Sequence, residues 1–212
     1  MAATSSLQQG ITHIRAHDPI LARVIDSTFE TPTFTPHTDY YQTLVDSIIS
    51  QQLSVKAAAS IQRRFNALFG DETVIPSPEQ IVTSDVEILR TAGLSRPKAT
   101  YILDLAQKTI DGTITFDHLE SLDNDAIIAE LTQVKGIGEW TVHMFLMFCM
   151  GRLDILPTGD LGIRNGATKL YGLATTATPT DIKRIAEDNN WQPYQSIASW
   201  YTWHSLDNKP MS

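Results

Sequence analysis

The 212 residues carry 24 acidic and 16 basic side chains, a net charge of −8, and a single cysteine, Cys149. One cysteine rules out an intramolecular disulfide and a four-cysteine iron–sulfur cluster, and it fits a reducing compartment. The acidic balance by itself argues against a nucleic-acid binder, because phosphate attracts a basic face; a binder of this charge must keep its acids on the far side. No apolar run has the length of a membrane span, and the start MAATSSLQQG has no basic or apolar signal region, so the expected location is cytoplasmic.

In chain order, helices are predicted over 7–16 and 19–25, the second started by Asp18 as cap and Pro19 in the first turn. Residues 31–37, with Pro32 and Pro36, read as a linker. From Tyr40, the apolar residues Leu44, Val45, Ile48 and Ile49 recur at helical spacing. The next helix starts at Ser54 and presents Val55, Ala58, Ile61, Phe65 and Leu68, which predicts a core helix ending at Gly70. Ser77-Pro78 opens a short helix, 85–91 is another, and Ser95-Arg96-Pro97 opens a longer one to Ile110. After the amphipathic run 124–131 come the apolar run 140–150 and the helices 161–171, 181–188 (capped by Thr180) and 194–205. No stretch alternates with period two, so the chain reads as all-α. The expected organisation is two helical lobes around a cleft, one formed by 38–152 and the other by 1–37 plus 153–212.

The chemistry concentrates in 131–164. Val134-Lys135-Gly136-Ile137-Gly138 reads as a short hairpin, whose glycines permit positive φ and a close approach of the backbone to an outside group. Amides at the tip, followed at once by a helix N-terminus, suit a phosphate; the alternative is a tight turn with no ligand. The loop Leu156-Pro157-Thr158-Gly159-Asp160 then opens a helix, placing Asp160 at or beside its N-cap. Trp140 follows the hairpin and is either core or site; Met144, one turn on, reads more simply as core. Gln51-Gln52-Leu53 lies at a helix–helix turn, which a solvated pair of glutamines would also suit. His37, His118, His143 and His204 show no zinc spacing, and no P-loop, nucleophile elbow or dinucleotide fingerprint occurs.

In order and spacing, Val134–Gly138, Pro157, Gly159 and Asp160 resemble the motif of the helix-hairpin-helix DNA glycosylases, and in particular their alkylated-base branch, 3-methyladenine DNA glycosylase II and its relatives. Ile48-Ile49-Ser50-Gln51-Gln52-Leu53-Ser54 and Trp200-Tyr201-Thr202-Trp203 agree with that branch. The resemblance implies the helix-hairpin-helix glycosylase fold without an N-terminal β domain. It also implies a monofunctional enzyme of base excision repair that leaves an abasic site. Its substrate would be double-stranded DNA containing damaged bases, acted on by a monomer, with no membrane involved and no required cofactor.

By the same resemblance Asp160 is the catalytic carboxylate, and Trp140 and Trp200 wall the pocket with Met144 at its border. Trp200, Tyr201 and Trp203 are equally readable as ordinary packing. Gln52 or Leu53 would enter the duplex in place of the flipped base. Gly136 and Gly138 would bind phosphate with help from Lys135, and the carbonyls of Thr132, Val134 and Ile137 would hold a monovalent cation, Na+ or K+. Relatives often carry arginine near Asn165, Gln192, Gln195 and His204, so a weaker phosphate grip or a different substrate set is expected here. Two other readings share these residues: a non-catalytic DNA-binding module, and a glycosylase for deaminated or oxidised bases.

Overall fold

The computed structural model describes residues 2–206, and among them the chain is helical with no strand. In order the helices are α1 (Ala2–His17), α2 (Pro19–Ser27), α3 (Tyr40–Ser50), α4 (Val55–Ala67), α5 (Pro78–Val82), α6 (Val86–Thr91), α7 (Arg96–Ile110), α8 (Asn124–Leu131), α9 (Glu139–Met144), α10 (Leu161–Leu170), α11 (Pro179–Asp188) and α12 (Gln195–His204). Most begin on a side-chain cap that satisfies an orphan amide of the first turn: Asp18, Ser54, Ser77, Asp85, Ser95, Asp123, Asp160 and Thr178.

Helix α11 starts earlier than its sequence suggests. Its cap is Thr178, not Thr180. Pro179 takes the first helical position, where a missing N–H does no harm, and Thr178 and Asp181 close a reciprocal capping box.

The chain forms two compact units, one of His37–Phe145 and one of Met1–Pro36 with Leu146–Ser212. The division therefore falls after Phe145, not at 152 as the sequence suggests. The apolar run 140–150 is not one regular helix: α9 passes into a π-helical turn, Phe145–Cys149. Beyond the division, Phe148 lies 5.7 Å from Phe34 and 6.3 Å from Trp203, and Gly151, at φ +69°, backs onto Pro36. These contacts tie the end of the run to the unit that contains both termini.

In the unit 37–145, α7 is the hub and packs against α3, α5 and α6. Its buried Ala99, Ile102, Leu105 and Ala106 share the core with Leu44, Val45, Ile48 and Ile49 of α3. Helix α4 is less buried than its pattern predicts. Phe65 is fully enclosed, but Val55 is 73% and Leu68 39% exposed. Val55 opens this helix, which rests mainly on α3, and Leu68 is its C-cap; the buried residues, Phe65 and Asn66, lie in the last turn.

In the other unit α12 packs against α1, α2 and α10. Its organising polar group is Asp18, fully buried. One carboxylate oxygen caps α2 through the amides of Ile20 and Leu21, both at 2.9 Å. The other accepts from the Tyr171 hydroxyl at 2.5 Å and the Trp191 indole at 2.8 Å. Four donors repay the desolvation that would otherwise make such a charge costly.

Candidate active site

Asp160 sits at the N-cap of α10 in extended backbone, φ −66° and ψ 127°. Its Oδ1 accepts from the Ile163 amide at 2.7 Å and from the Trp203 indole Nε1 at 2.7 Å. The first bond is a helix cap; the second comes from the last turn of α12. Gly162 makes room for it, because a Cβ there would stand 2.8 Å from Trp203 Cδ1 and 3.1 Å from Asp160 Oδ1. Gly166, a turn later, lets α10 close on α12: a Cβ would meet the Thr202 carbonyl oxygen at 2.4 Å. The carboxylate is half-buried at a helix N-terminus, a setting that favours a negative charge.

Trp200, on the same helix, is buried. Its indole stacks on His204 at 5.0 Å and meets Tyr201 edge-on at 5.0 Å. One face of the ring is thus already covered. His204 is itself fixed, Nε2 lying 2.7 Å from the Thr28 hydroxyl, and Gln195 donates to Asp154 at 2.8 Å. Two of the residues that stand near the arginine positions of the resembled family are therefore engaged within the protein.

The hairpin belongs to the other unit, and α7 holds it from behind. Asp104 accepts from the Lys135 amide at 2.9 Å and pairs with its ammonium at 3.5 Å. Lys108 donates to Asp104 and to the Gln133 carbonyl, both at 2.8 Å. Tyr101 lies flat against Gly136, where φ is +80° and a Cβ would be 2.1 Å from the ring. A side chain fits neither the space nor the backbone there. Burial pushes the Asp104 carboxyl up, but the Lys108 and Lys135 bonds and charges outweigh it and hold it below the ordinary carboxylate range.

The same helix fixes the loop after α3. Lys98 Nζ donates to the carbonyls of Ile49 at 2.8 Å and Gln51 at 2.6 Å, and burial lowers its pKa. The Gln51 side chain in turn donates to the Gly136 carbonyl at 2.9 Å, joining loop to hairpin. Gln52 is exposed at the tip with φ +58°, a left-handed conformation that a side chain adopts only when its surroundings enforce it. Leu53 is half-buried, its amide bonded to the Ser50 carbonyl at 3.0 Å.

Trp140 is 43% exposed, which removes the core reading for it. Met144 is half-buried. Between them His143 is buried, which lowers its pKa against the opposing pull of Glu139 at 3.6 Å. Of the three carbonyls read as a cation site, that of Val134 accepts the Ile137 amide at 3.1 Å. No group of three or more His, Cys, Asp or Glu able to hold a metal occurs among the described residues. Sequence reasoning missed Trp203 as the partner of Asp160, and it missed the α7 stripe of Lys98, Tyr101, Asp104 and Lys108. The spacing of that stripe, three or four residues apart, was its one available signal.

A family model described as HhH-GPD superfamily base excision DNA repair protein matches residues 45–192, a span that holds the hairpin, Trp140 and Asp160. The chain belongs to that superfamily. It is similar to DNA-3-methyladenine glycosylase 1 of Schizosaccharomyces pombe, 39% identical over 77% of this chain and 71% of that protein. It is also similar to the putative DNA-3-methyladenine glycosylase YfjP of Bacillus subtilis, 32% identical over 86% of this chain and 66% of that one. Among solved structures, the Schizosaccharomyces pombe 3-methyladenine DNA glycosylase in complex with abasic DNA superposes with a TM-score of 0.78 at 34% identity, covering 92% of this chain and 95% of that one. A Bacillus halodurans DNA-3-methyladenine glycosidase gives a TM-score of 0.79 at 36% identity, covering 92% of this chain and 88% of that one.

Proposed function

We propose that the protein is a monofunctional DNA glycosylase that hydrolyses the N-glycosidic bond of flipped-out alkylated purines, of the 3-methyladenine and 7-methylguanine type, and leaves an abasic site. The observation that carries this reading is Asp160: a carboxylate fixed through one oxygen by a helix cap and an indole N–H, in the loop position of the family's motif. Departure of the base leaves positive charge on the sugar, and a pre-set anion stabilises that charge and orients the attacking water.

Trp140 supplies an exposed aromatic face, and a cationic alkylated purine is drawn to an indole by about 0.5–2 kcal/mol. Trp200 would contribute the face that His204 leaves. Met144 borders the base. Gln52, held at the tip of its loop, fills the gap in the duplex with Leu53 behind it, since the target base must leave the stack to react. Asp104 takes the Lys135 amide, so the amides of Gly136 and Gly138 are those that meet phosphate, with the exposed Lys135 ammonium adding charge.

A monovalent cation on the carbonyls of Thr132, Val134 and Ile137 fits, because the Val134 oxygen keeps a second lone pair beside the Ile137 amide. It would supply positive charge towards the same phosphate. The enzyme acts as a monomer where DNA is found, in the nucleoid if the host is bacterial. No described helix is long and apolar enough to cross a membrane.

The test is incubation with methylated duplex DNA and chromatography of the released bases. Free 3-methyladenine or 7-methylguanine, with alkali-labile sites left in the strand, supports the reading. Binding without release of any base would reduce the protein to a DNA-binding module.

A further inference from the structure

We infer that Trp203 is a positioning residue for the reaction, acting through Asp160; the inference rests on the catalytic reading of that aspartate. A helix cap alone leaves a carboxylate free to swing about the bond that joins it to Cβ. Here the Ile163 amide and the Trp203 Nε1 both reach Oδ1 at 2.7 Å, from two different helices. Two donors on one oxygen fix the plane of the group, and with it the direction in which Oδ2 points.

The indole is itself closely packed. It is 7% exposed, lies 6.3 Å from Phe148, and occupies the space that Gly162 leaves beside it. Adding a Cβ at Gly162 would put carbon 2.9 Å from Trp203 Nε1. The glycine, the tryptophan and the aspartate therefore form one device, in which Gly162 admits the ring, Trp203 delivers the proton donor and Asp160 is aimed. A buried indole N–H takes an acceptor, and here that acceptor is the one carboxylate on which the proposed chemistry depends.

The experiment compares Trp203→Phe, Gly162→Ala and their combination in single-turnover base release and in DNA binding, below the melting temperature of each variant. Phenylalanine keeps most of the packing and loses the donor. Losing a hydrogen bond to a charged group predicts a fall in kcat of about 10- to 100-fold. KM should stay within about twofold, because Trp203 is buried and acts through Asp160. Gly162→Ala should give a similar loss with the tryptophan still present. The double variant should be little worse than either single one, because both break the same bond.

If Trp203→Phe does not fold, Gly162→Ala carries the same comparison. Rates for the folded variants within about twofold of wild type, while Asp160→Asn is inactive, would overturn the inference and leave the catalytic reading intact. An active Asp160→Asn would overturn the reading itself.

Discussion

Asp160→Asn separates the two roles of the aspartate. The amide keeps an oxygen in the place of Oδ1, so the Ile163 amide and the Trp203 indole, both at 2.7 Å, still have an acceptor. Asparagine and aspartate cap helices about equally well, and turning one charged hydrogen bond into a neutral one loses about 1 kcal/mol. The fold should therefore survive with a melting temperature a few degrees lower. The charge does not survive. A carboxylate about 4 Å from the developing cation, at an effective dielectric constant of about 20, is worth about 4 kcal/mol, or roughly a thousandfold in rate. Base release under single turnover, with enzyme in excess over methylated duplex, measures the loss. Fluorescence anisotropy on an abasic duplex should show equal or tighter binding, since an anion near phosphate has been removed. Excision within tenfold of wild type, in a variant that melts normally, would remove Asp160 from the reaction.

Three further outcomes follow from the site and the core. The slope of log affinity against log salt should be shallow, about −3 to −5, for three to five phosphate contacts; a slope near −9 would mean a larger basic surface than the hairpin offers. Borohydride should trap no protein–DNA adduct and strands should break only after alkali, because a Schiff base needs an unprotonated amine; Trp140 has none and the Lys135 ammonium is paired with Asp104. Burial raises the Asp46 carboxyl from the ordinary 3.8 to about 6, and its Oδ1 has no hydrogen-bond partner among the described residues. A raised folded pKa gives stability that is full below pH 3.8 and is lost as pH rises through about 6. Asp46→Asn should therefore stabilise the protein by at most about 3 kcal/mol at pH 8, less what solvent screening removes, and by little at pH 3.5, as read by urea unfolding; an equal gain at both would refute the burial argument.

Much of the site was legible because it is local. Asp160 and the first turn of α10 lie within four residues of one another, so the cap follows from the loop sequence. Of the two hairpin glycines, Gly136 has the positive φ read for it, whereas Gly138, at φ −95°, is extended. Trp203 could not be assigned to Asp160, because that bond joins residues 43 apart in sequence and depends on how α12 lies on α10. The sequence suggests Thr180 as the cap of α11; Pro179, which suits the first helical position, puts it at Thr178. The apolar pattern of α4 gave the face but not how far its neighbours extend, and so Val55 and Leu68 remain outside. The break after Met144 leaves no mark in the apolar pattern, because a π-helical turn keeps the same residue types.

The stripe on α7 changes what the formal charge means. Lys98 and Lys108 are engaged within the protein: their ammonium groups are bound to backbone carbonyls of the loop after α3 and of the hairpin. In return, the segment that holds Gln52 and the turn that holds Gly136 are set during folding, before any duplex arrives. Ordering them on contact would cost about 1–2 kcal/mol for each residue fixed, and an acidic protein expected to make few phosphate contacts would have little affinity to set against that. The half-buried bonds of Lys98 also respond to ionic strength far less than exposed contacts to phosphate do. Salt strong enough to release the duplex would leave the reading surface assembled, and dilution would restore binding without any refolding.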